Sequence, residues 1–302
     1  MSEIPDEVRA LAKAREGARQ GRDFSRADEL RGLIRQAGFD VTDTPSGWEL
    51  TPREPREPDT AAPVFARSED VPSVLGGPPA FSGPSVQWVV QGWPDDVRRS
   101  FRSVVNTLPG EFQSVIVDAA GPGPLDWYGG ELLNVAPEAG WAVARNAGLR
   151  RAASEVVILV DGSIEFTGDG VGQLCNALED PSVGVTGPFG LVSDDLREFR
   201  ESEGPDVDAV EGYVMAFRRE LVERGLRFDE RFKFYRTADI ELSFQIKAMG
   251  LRATVTPVSV TRHEHRMWAN TSEEERARMS KRNFYRFLDR WRGRTDLLVS
   301  GG

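Results

Sequence analysis

The stretch Glu155-Val156-Val157-Ile158-Leu159-Val160-Asp161-Gly162-Ser163 decides how this chain folds. Its run of branched and aliphatic residues is too short for a helix and has no polar alternation, so it reads as a strand buried on both faces. Such strands belong to parallel sheets covered by helices on each side. Asp161 falls where that strand ends, and open α/β sheets bind ligands beyond the carboxyl ends of their strands.

Working outward, the flanking segments alternate strand and helix signals. Val86-Gln87-Trp88-Val89-Val90 and Ser114-Val115-Ile116-Val117-Asp118 predict strands, and the spacing predicts helices over Asp95 to Thr107 and Ala139 to Ala152. The expected class is therefore α/β, a mostly parallel sheet flanked by helices. Asp118, like Asp161, ends a strand on the ligand-binding side.

Composition bounds the function. The 302 residues suffice for one large domain, or one large and one small, and the formal charge of −10 argues against broad nucleic-acid binding. The single Cys175 rules out an internal disulfide and fits a reducing compartment; within its helix-like run it reads as a small buried residue. No apolar run approaches a bilayer-spanning length and the N-terminus lacks a signal-peptide core, so the expected location is cytoplasmic.

An acid at the mouth of a buried strand, followed by Gly and Ser, can present a carboxylate to a ligand or metal. A hard divalent cation takes oxygen ligands and keeps substrate phosphates and water in its shell, so one protein carboxylate can suffice. Without chemistry, the same turn is an Asp capping the step into Ile164-Glu165-Phe166. Further features lie on either side: Trp141 through Arg145-Asn146 to Gly148, Glu211-Gly212-Tyr213 through Arg219, Phe228-Asp229-Glu230, Thr237-Ala238-Asp239-Ile240-Glu241, and Arg262-His263-Glu264-His265 with both histidines of the chain.

In that order, residues 85–270 resemble the family 2 glycosyltransferases of the GT-A fold. The resemblance implies that Asp118 contacts the nucleotide base, that Arg145 and Asn146 help bind the nucleotide-sugar, and that Asp161-Gly162-Ser163 stands for the Asp-x-Asp motif at the diphosphate. It makes Asp239 the base that takes a proton from the acceptor hydroxyl. It also makes Asp161, with His263 or His265, the ligands of Mn2+ or Mg2+. The implied reaction is hexosyl transfer with inversion from a nucleotide-sugar donor to an acceptor that is lipid-linked or a glycan. Two departures stand out: Ser163 replaces the second Asp, and Ala238 replaces a Glu. They keep open an alternative in which a catalytically weakened domain serves as a binding or docking module. A nucleotidyltransferase would need a Gly-rich phosphate loop after the first strand, which Gly92-Trp93-Pro94-Asp95 does not supply.

The remainder divides into three zones. Residues 1–50 read as a small helical module. One run is Val8, Leu11, Ala12, Arg15 and Ala18 up to Gly21; a second is Phe24, Ala27, Leu30, Leu33 and Ile34 up to Gly38. A strand, the turn Asp43-Thr44-Pro45-Ser46-Gly47 and Trp48-Glu49-Leu50 follow. Ala14-Arg15, Ala18-Arg19, Asp23 through Asp28 and Gly38 through Gly47 resemble the C-terminal piece of cysteinyl-tRNA synthetases. The synthetase's catalytic signatures are missing. Arg15, Arg19, Arg22 and Arg26 are spaced as a basic stripe, yet eight basic against ten acidic residues favour a docking module over tRNA binding. Residues 51–84, with eight of the nineteen prolines, read as an extended linker. Residues 271–302 form a basic amphipathic helix with Phe284, Phe287, Leu288 and Trp291 on one face. Such a helix suits an anionic membrane surface on the cytoplasmic face; packing on the catalytic domain is the preferred reading.

Overall fold

The computed structural model describes residues 4–21, 27, 30, 33–34, 37, 39–44, 47–52, 62–121, 125 and 130–299. Two compact units emerge, one of residues 1–62 with 122–130 and one of residues 63–121 with 131–302.

In the smaller unit, α1 (Asp6–Gln20) and the antiparallel pair β1 (Phe39–Thr44) and β2 (Gly47–Pro52) share a core. Val8 and Ala12 on one helix face meet Ile34, Phe39, Val41 and Leu50, as the helical and alternating spacings require. Ala27, Leu30, Leu33 and Ile34 are helical, while Phe24 and Gly38 at the ends of that run lie outside the described residues. Arg15 is buried at 2% exposure, so it does not belong to a solvent-facing basic stripe; Arg22 and Arg26 lie outside the described residues, as do Pro45 and Ser46 of the hairpin turn.

The larger unit is built on a nine-stranded sheet. Its parallel half comprises β3 (Val64–Phe65), β4 (Ser85–Val90), β5 (Gln113–Asp118), β6 (Glu131–Val135) and β7 (Val156–Val160). Past the short β8 (Ile164–Phe166), the other half comes from β9 (Val183–Gly187), β12 (Asp206–Val207), β14 (Val214–Arg218) and β15 (Arg252–Val255). The order is β12-β15-β9-β14-β7-β4-β5-β6-β3. Five of its eight pairings are parallel, and β14 runs antiparallel to both β7 and β9. Helices α2 (Pro94–Thr107), α3 (Trp141–Leu149), α4 (Gly170–Ala177), α5 (Arg219–Glu223) and α6 (Ala238–Ala248) follow strands or loops of this sheet. Every residue of β4 is buried, as expected of a strand covered on both faces. Two small sheets complete the site end: β10 (Gly190–Val192) between β11 (Arg200–Ser202) and β13 (Ala209–Val210), and β8 paired with β16 (Val260–Arg262).

Of the segment expected as a linker, residues 53–61 lie outside the described residues, and residues 63–84 are part of the larger unit. Val64 and Phe65 extend the sheet beside β6, and Val71 is fully buried in its core. The prolines remove donors, but the carbonyls still accept: Arg150 donates to Val71 O, Arg151 to Pro72 O and Arg219 to Gly77 O, at 2.7–2.8 Å.

Beyond the short α7 (Arg266–Asn270), α8 (Glu273–Trp291) carries the basic amphipathic sequence. Its apolar face is covered. Phe287, Leu288 and Trp291 are buried against Ile240 and Phe244 of α6, and the Phe244 and Phe287 rings meet edge-on at 5.1 Å. No helix among the described residues is long and apolar enough to cross a membrane.

Candidate active site

The acidic turn leaves β7 directly into a fixed geometry. Asp161 N donates to Tyr213 O at 2.8 Å, while Ser163 donates its N–H at 2.9 Å and its hydroxyl at 2.5 Å to Asp161 Oδ1. Gly162 lets α2 approach: a Cβ there would lie 3.0 Å from a Val97 methyl and 3.3 Å from its backbone nitrogen. The β8–β16 ribbon then delivers the histidines. Its register pairs Ile164 with Arg262, and one step further His263 N donates to Ser163 O at 2.8 Å. This places His265 Nε2 at 3.4 Å from Asp161 Oδ2.

The imidazole is oriented from behind. Trp268 N–H donates to His265 Nδ1 at 3.2 Å, capping α7, so the ring proton sits on Nε2 and faces the carboxylate. Tyr235 packs on the same ring at 4.5 Å between centres. Burial opposes ionisation of Asp161, but the hydrogen bonds from His265 and Ser163 outweigh it and hold the pKa down to about 2. Burial likewise opposes a charge on His265, and the Asp161 carboxylate outweighs it, raising the imidazole's pKa.

Asp161 and His265 form a partition between two hollows. On one side lies a cleft of about 40 Å³ reached by Gln91, Trp93, Asp96 and Arg266. On the other is a cavity of about 270 Å³, with carboxylates of Glu201, Glu211 and Asp239 and aromatic walls including Trp141, Tyr213 and Tyr235. Asp239 stands in the first turn of α6, just after Thr237, whose φ of 71° turns the chain into the helix. Its Oδ2 accepts Gly212 N–H at 2.8 Å and its Oδ1 accepts Ile240 N–H at 2.9 Å. Burial raises the Asp239 pKa, with these N–H groups pulling against it.

The other expected site residues sit elsewhere. Arg145 and Asn146, expected to bind the nucleotide-sugar, line neither hollow. Arg145 is buried and donates to Gln87 O and Val160 O, both at 3.2 Å; Asn146 bonds both backbone groups of Phe228 at 2.9 Å. Arg145 ties α3 to β4 and β7, and Asn146 ties it to the loop at Phe228, because a buried polar side chain must satisfy its hydrogen bonds. Asp118 ends β5 as expected, is buried, and caps its own turn by accepting Ala120 N–H at 2.9 Å. His263, the other expected metal ligand, is turned to Glu165, with Nε2 2.7 Å from Oε2. The Ser163 hydroxyl is spent on Asp161. Glu211 carries no mark in the sequence, because a position just after a two-residue strand has no periodicity to reveal it.

Asp161 and His265 place one oxygen and one nitrogen donor face to face. Among the described residues no three His, Cys, Asp or Glu side chains converge as a metal cage. The pair fits a divalent cation that draws the rest of its shell from a diphosphate and water. Cation binding at Nε2 would displace the proton held there.

No family model matches this chain. The cysteine–tRNA ligase of Opitutus terrae is 45% identical over 51 residues, which are 17% of this chain and 11% of that protein. Among solved structures, that of GalNAc-T7 with UDP, GalNAc and Mn2+ superposes with a TM-score of 0.57 at 18% identity, covering 72% of this chain and 49% of that one. The fold is GT-A. The mannosyltransferase PcManGT from Pyrobaculum calidifontis, in complex with GDP-Man and Mn2+, is also similar, with a TM-score of 0.47, 21% identity, and 63% of this chain and 59% of that chain covered. The chain thus spans about a tenth of the ligase and about half of the GalNAc-T7 chain. Within the GT-A fold, the acidic turn, the two hollows and Asp239 all lie at the end of the sheet where Asp118 and Asp161 close their strands.

Proposed function

We propose that this chain is an inverting family 2 glycosyltransferase that moves a sugar from a nucleotide-sugar to an acceptor hydroxyl. The observation that carries the reading is the partition of Asp161 and His265, with a narrow cleft on one side and the Asp239 cavity on the other. The cleft, at about 40 Å³, would admit part of a diphosphate rather than a whole nucleotide, and the cavity suits a sugar, whose hydroxyls meet carboxylates and whose apolar face meets aromatic rings. Asp161 and His265 would hold Mn2+ or Mg2+ against the diphosphate, and a bound cation stabilises the charge on a leaving diphosphate oxygen.

The chain's own residues supply the rest. Asp239 carries its ionised oxygens on backbone N–H groups and takes the proton of the acceptor hydroxyl. The hydroxyl oxygen bonds to the anomeric carbon from the side opposite the diphosphate. The carbon–oxygen bond to phosphate breaks, and its electron pair leaves with the diphosphate. Base assistance of this kind contributes on the order of 10²–10⁴-fold.

A second reading, a transferase-like binding module, is favoured by the Ser163 hydroxyl being spent on Asp161. The 51-residue likeness to a tRNA ligase supports a small docking module at the N-terminus under either reading. Calorimetric titration with UDP, GDP and other nucleoside diphosphates, with and without Mn2+, tests the transferase reading. Binding to wild type that is lost in Asp161→Ala is expected, and no binding to any of them sinks it. Binding without turnover, and no effect of Asp239→Ala, selects the module.

A further inference from the structure

Glu211 and Asp239 are adjacent carboxylates with opposite surroundings. Glu211 directly follows β13 and precedes the turn at Gly212-Tyr213, and Glu211 N donates to Phe189 O at 2.8 Å. The next residue, Gly212, grips Asp239 through its N–H, and a Cβ on Gly212 would lie 3.2 Å from the Asp239 Cβ. Both acids line the same cavity. Yet each Asp239 oxygen accepts a backbone N–H, while the Glu211 carboxyl accepts no hydrogen bond from any described residue. A desolvated carboxylate without donors is the costlier of two to ionise, so a proton shared by the pair goes to Glu211.

The other charges around Glu211 do not reverse this. Glu201 of β11, on the cavity wall, adds a like charge. Arg262 of β16 pulls the other way, but its guanidinium lies over the Phe189 and Tyr213 rings, at 5.4 and 5.1 Å from their centres. Arg236 is held over Trp268 at 5.3 Å. Neither arginine forms an ion pair with Glu211 among the described residues. Burial first, then Asp239, lifts the Glu211 pKa to about 7.

We propose that Glu211 is a neutral, proton-bearing positioning residue that donates a hydrogen bond to a sugar hydroxyl in the cavity, orienting the sugar for Asp239. The division of labour follows from the donors: Asp239 stays an acceptor of protons, and Glu211 becomes a hydrogen-bond donor in the cavity. This role rests on the transferase reading, whereas the place of the proton does not.

The test has two arms. The first needs no substrate: carbon-13 NMR titration of glutamate side-chain carboxyls, with Glu211 assigned from the signal missing in Glu211→Gln. A midpoint near 7 is expected, falling by about one pH unit or more in Asp239→Asn, where the like charge is gone. A midpoint in the ordinary glutamate range overturns the proposal whatever the activity. The second arm measures hydrolysis of UDP-sugars and GDP-mannose against pH. Glu211→Ala should lose about 10²-fold, Glu211→Gln should recover most of that, and the decline of wild type above pH 7 should vanish in the Gln variant because an amide donates at every pH. Equal damage from Ala and Gln, or an unchanged alkaline limb in Gln, overturns the role. If none of these donors binds or turns over, the transferase reading fails and the positioning role fails with it, while the titration still decides where the proton sits.

Discussion

Ser163 directs both of its donors, the backbone N–H and the hydroxyl, to a single oxygen of Asp161. The residue standing where a second Asp was expected is therefore a support for the first. Ser163→Ala removes one charge-assisted hydrogen bond and should lower stability by roughly 1.5–3 kcal/mol. Ser163→Asp sets a second carboxylate against the first. Its melting temperature should fall below that of wild type in EDTA and recover when Mn2+ and a nucleoside diphosphate are added together. Scanning fluorimetry of the two variants with and without EDTA checks both outcomes.

With two protein donors and no converging third among the described residues, the cation and the nucleotide should bind as partners. Mn2+ alone is expected to bind weakly, and UDP or GDP to raise its affinity at least about tenfold, the diphosphate gaining the same factor in return. His265→Ala should remove most of this coupling, while His263→Ala, whose imidazole is committed to Glu165, should leave it intact. Calorimetry in both orders of addition measures the factor. Equal Mn2+ affinity with and without nucleotide would contradict the two-donor site.

Arg145 distinguishes an interior role from a binding role. Its guanidinium holds the carbonyls of Gln87 and Val160, and burial lowers its pKa only to about 10, so it remains charged at neutral pH. Arg145→Ala removes the guanidinium donors from those carbonyls and opens space beside Trp141, and should cost about 3 kcal/mol or more in stability. The protein that remains folded should bind nucleoside diphosphates as wild type does. A large loss of affinity with unchanged melting temperature would place Arg145 in the binding site.

How much of this was legible in the sequence depends on periodicity. The strand before Asp161 declared itself because a parallel strand buried on both faces is continuously apolar, and the α2 and α8 faces did so through helical spacing. Position along a strand was enough to bring Asp118 and Asp161 to one end of the sheet. Side-chain direction was not. Arg145 and Asn146 turn inward on α3, and His263 and His265 part company because the ribbon ends at Arg262 and the period of two that would put i and i+2 on one side no longer holds. Residues 63–84 are rich in prolines, which forbid an interior strand but leave carbonyls for arginines to hold. Glu211 carries no local signal, since its setting is made by Asp239, 28 positions away in the chain.

That setting also gives stability a pH dependence of unusual sign for a carboxylate. The Glu211 pKa rises from 4.5 unfolded to about 7 folded. Below about 4.5 both states hold the proton and this group's contribution is fully present. Between 4.5 and 7 the unfolded chain releases the proton while the folded one keeps it, so stability falls as pH rises, and above 7 the contribution is lost. Glu211→Gln cannot ionise and should escape the penalty. Relative to wild type, its melting temperature should be raised at pH 8 and show little difference at pH 4, with the gap opening through pH 5 to 7. Thermal unfolding of both proteins across that range measures it, and a gap that is constant with pH would mean that Glu211 ionises like an ordinary surface glutamate.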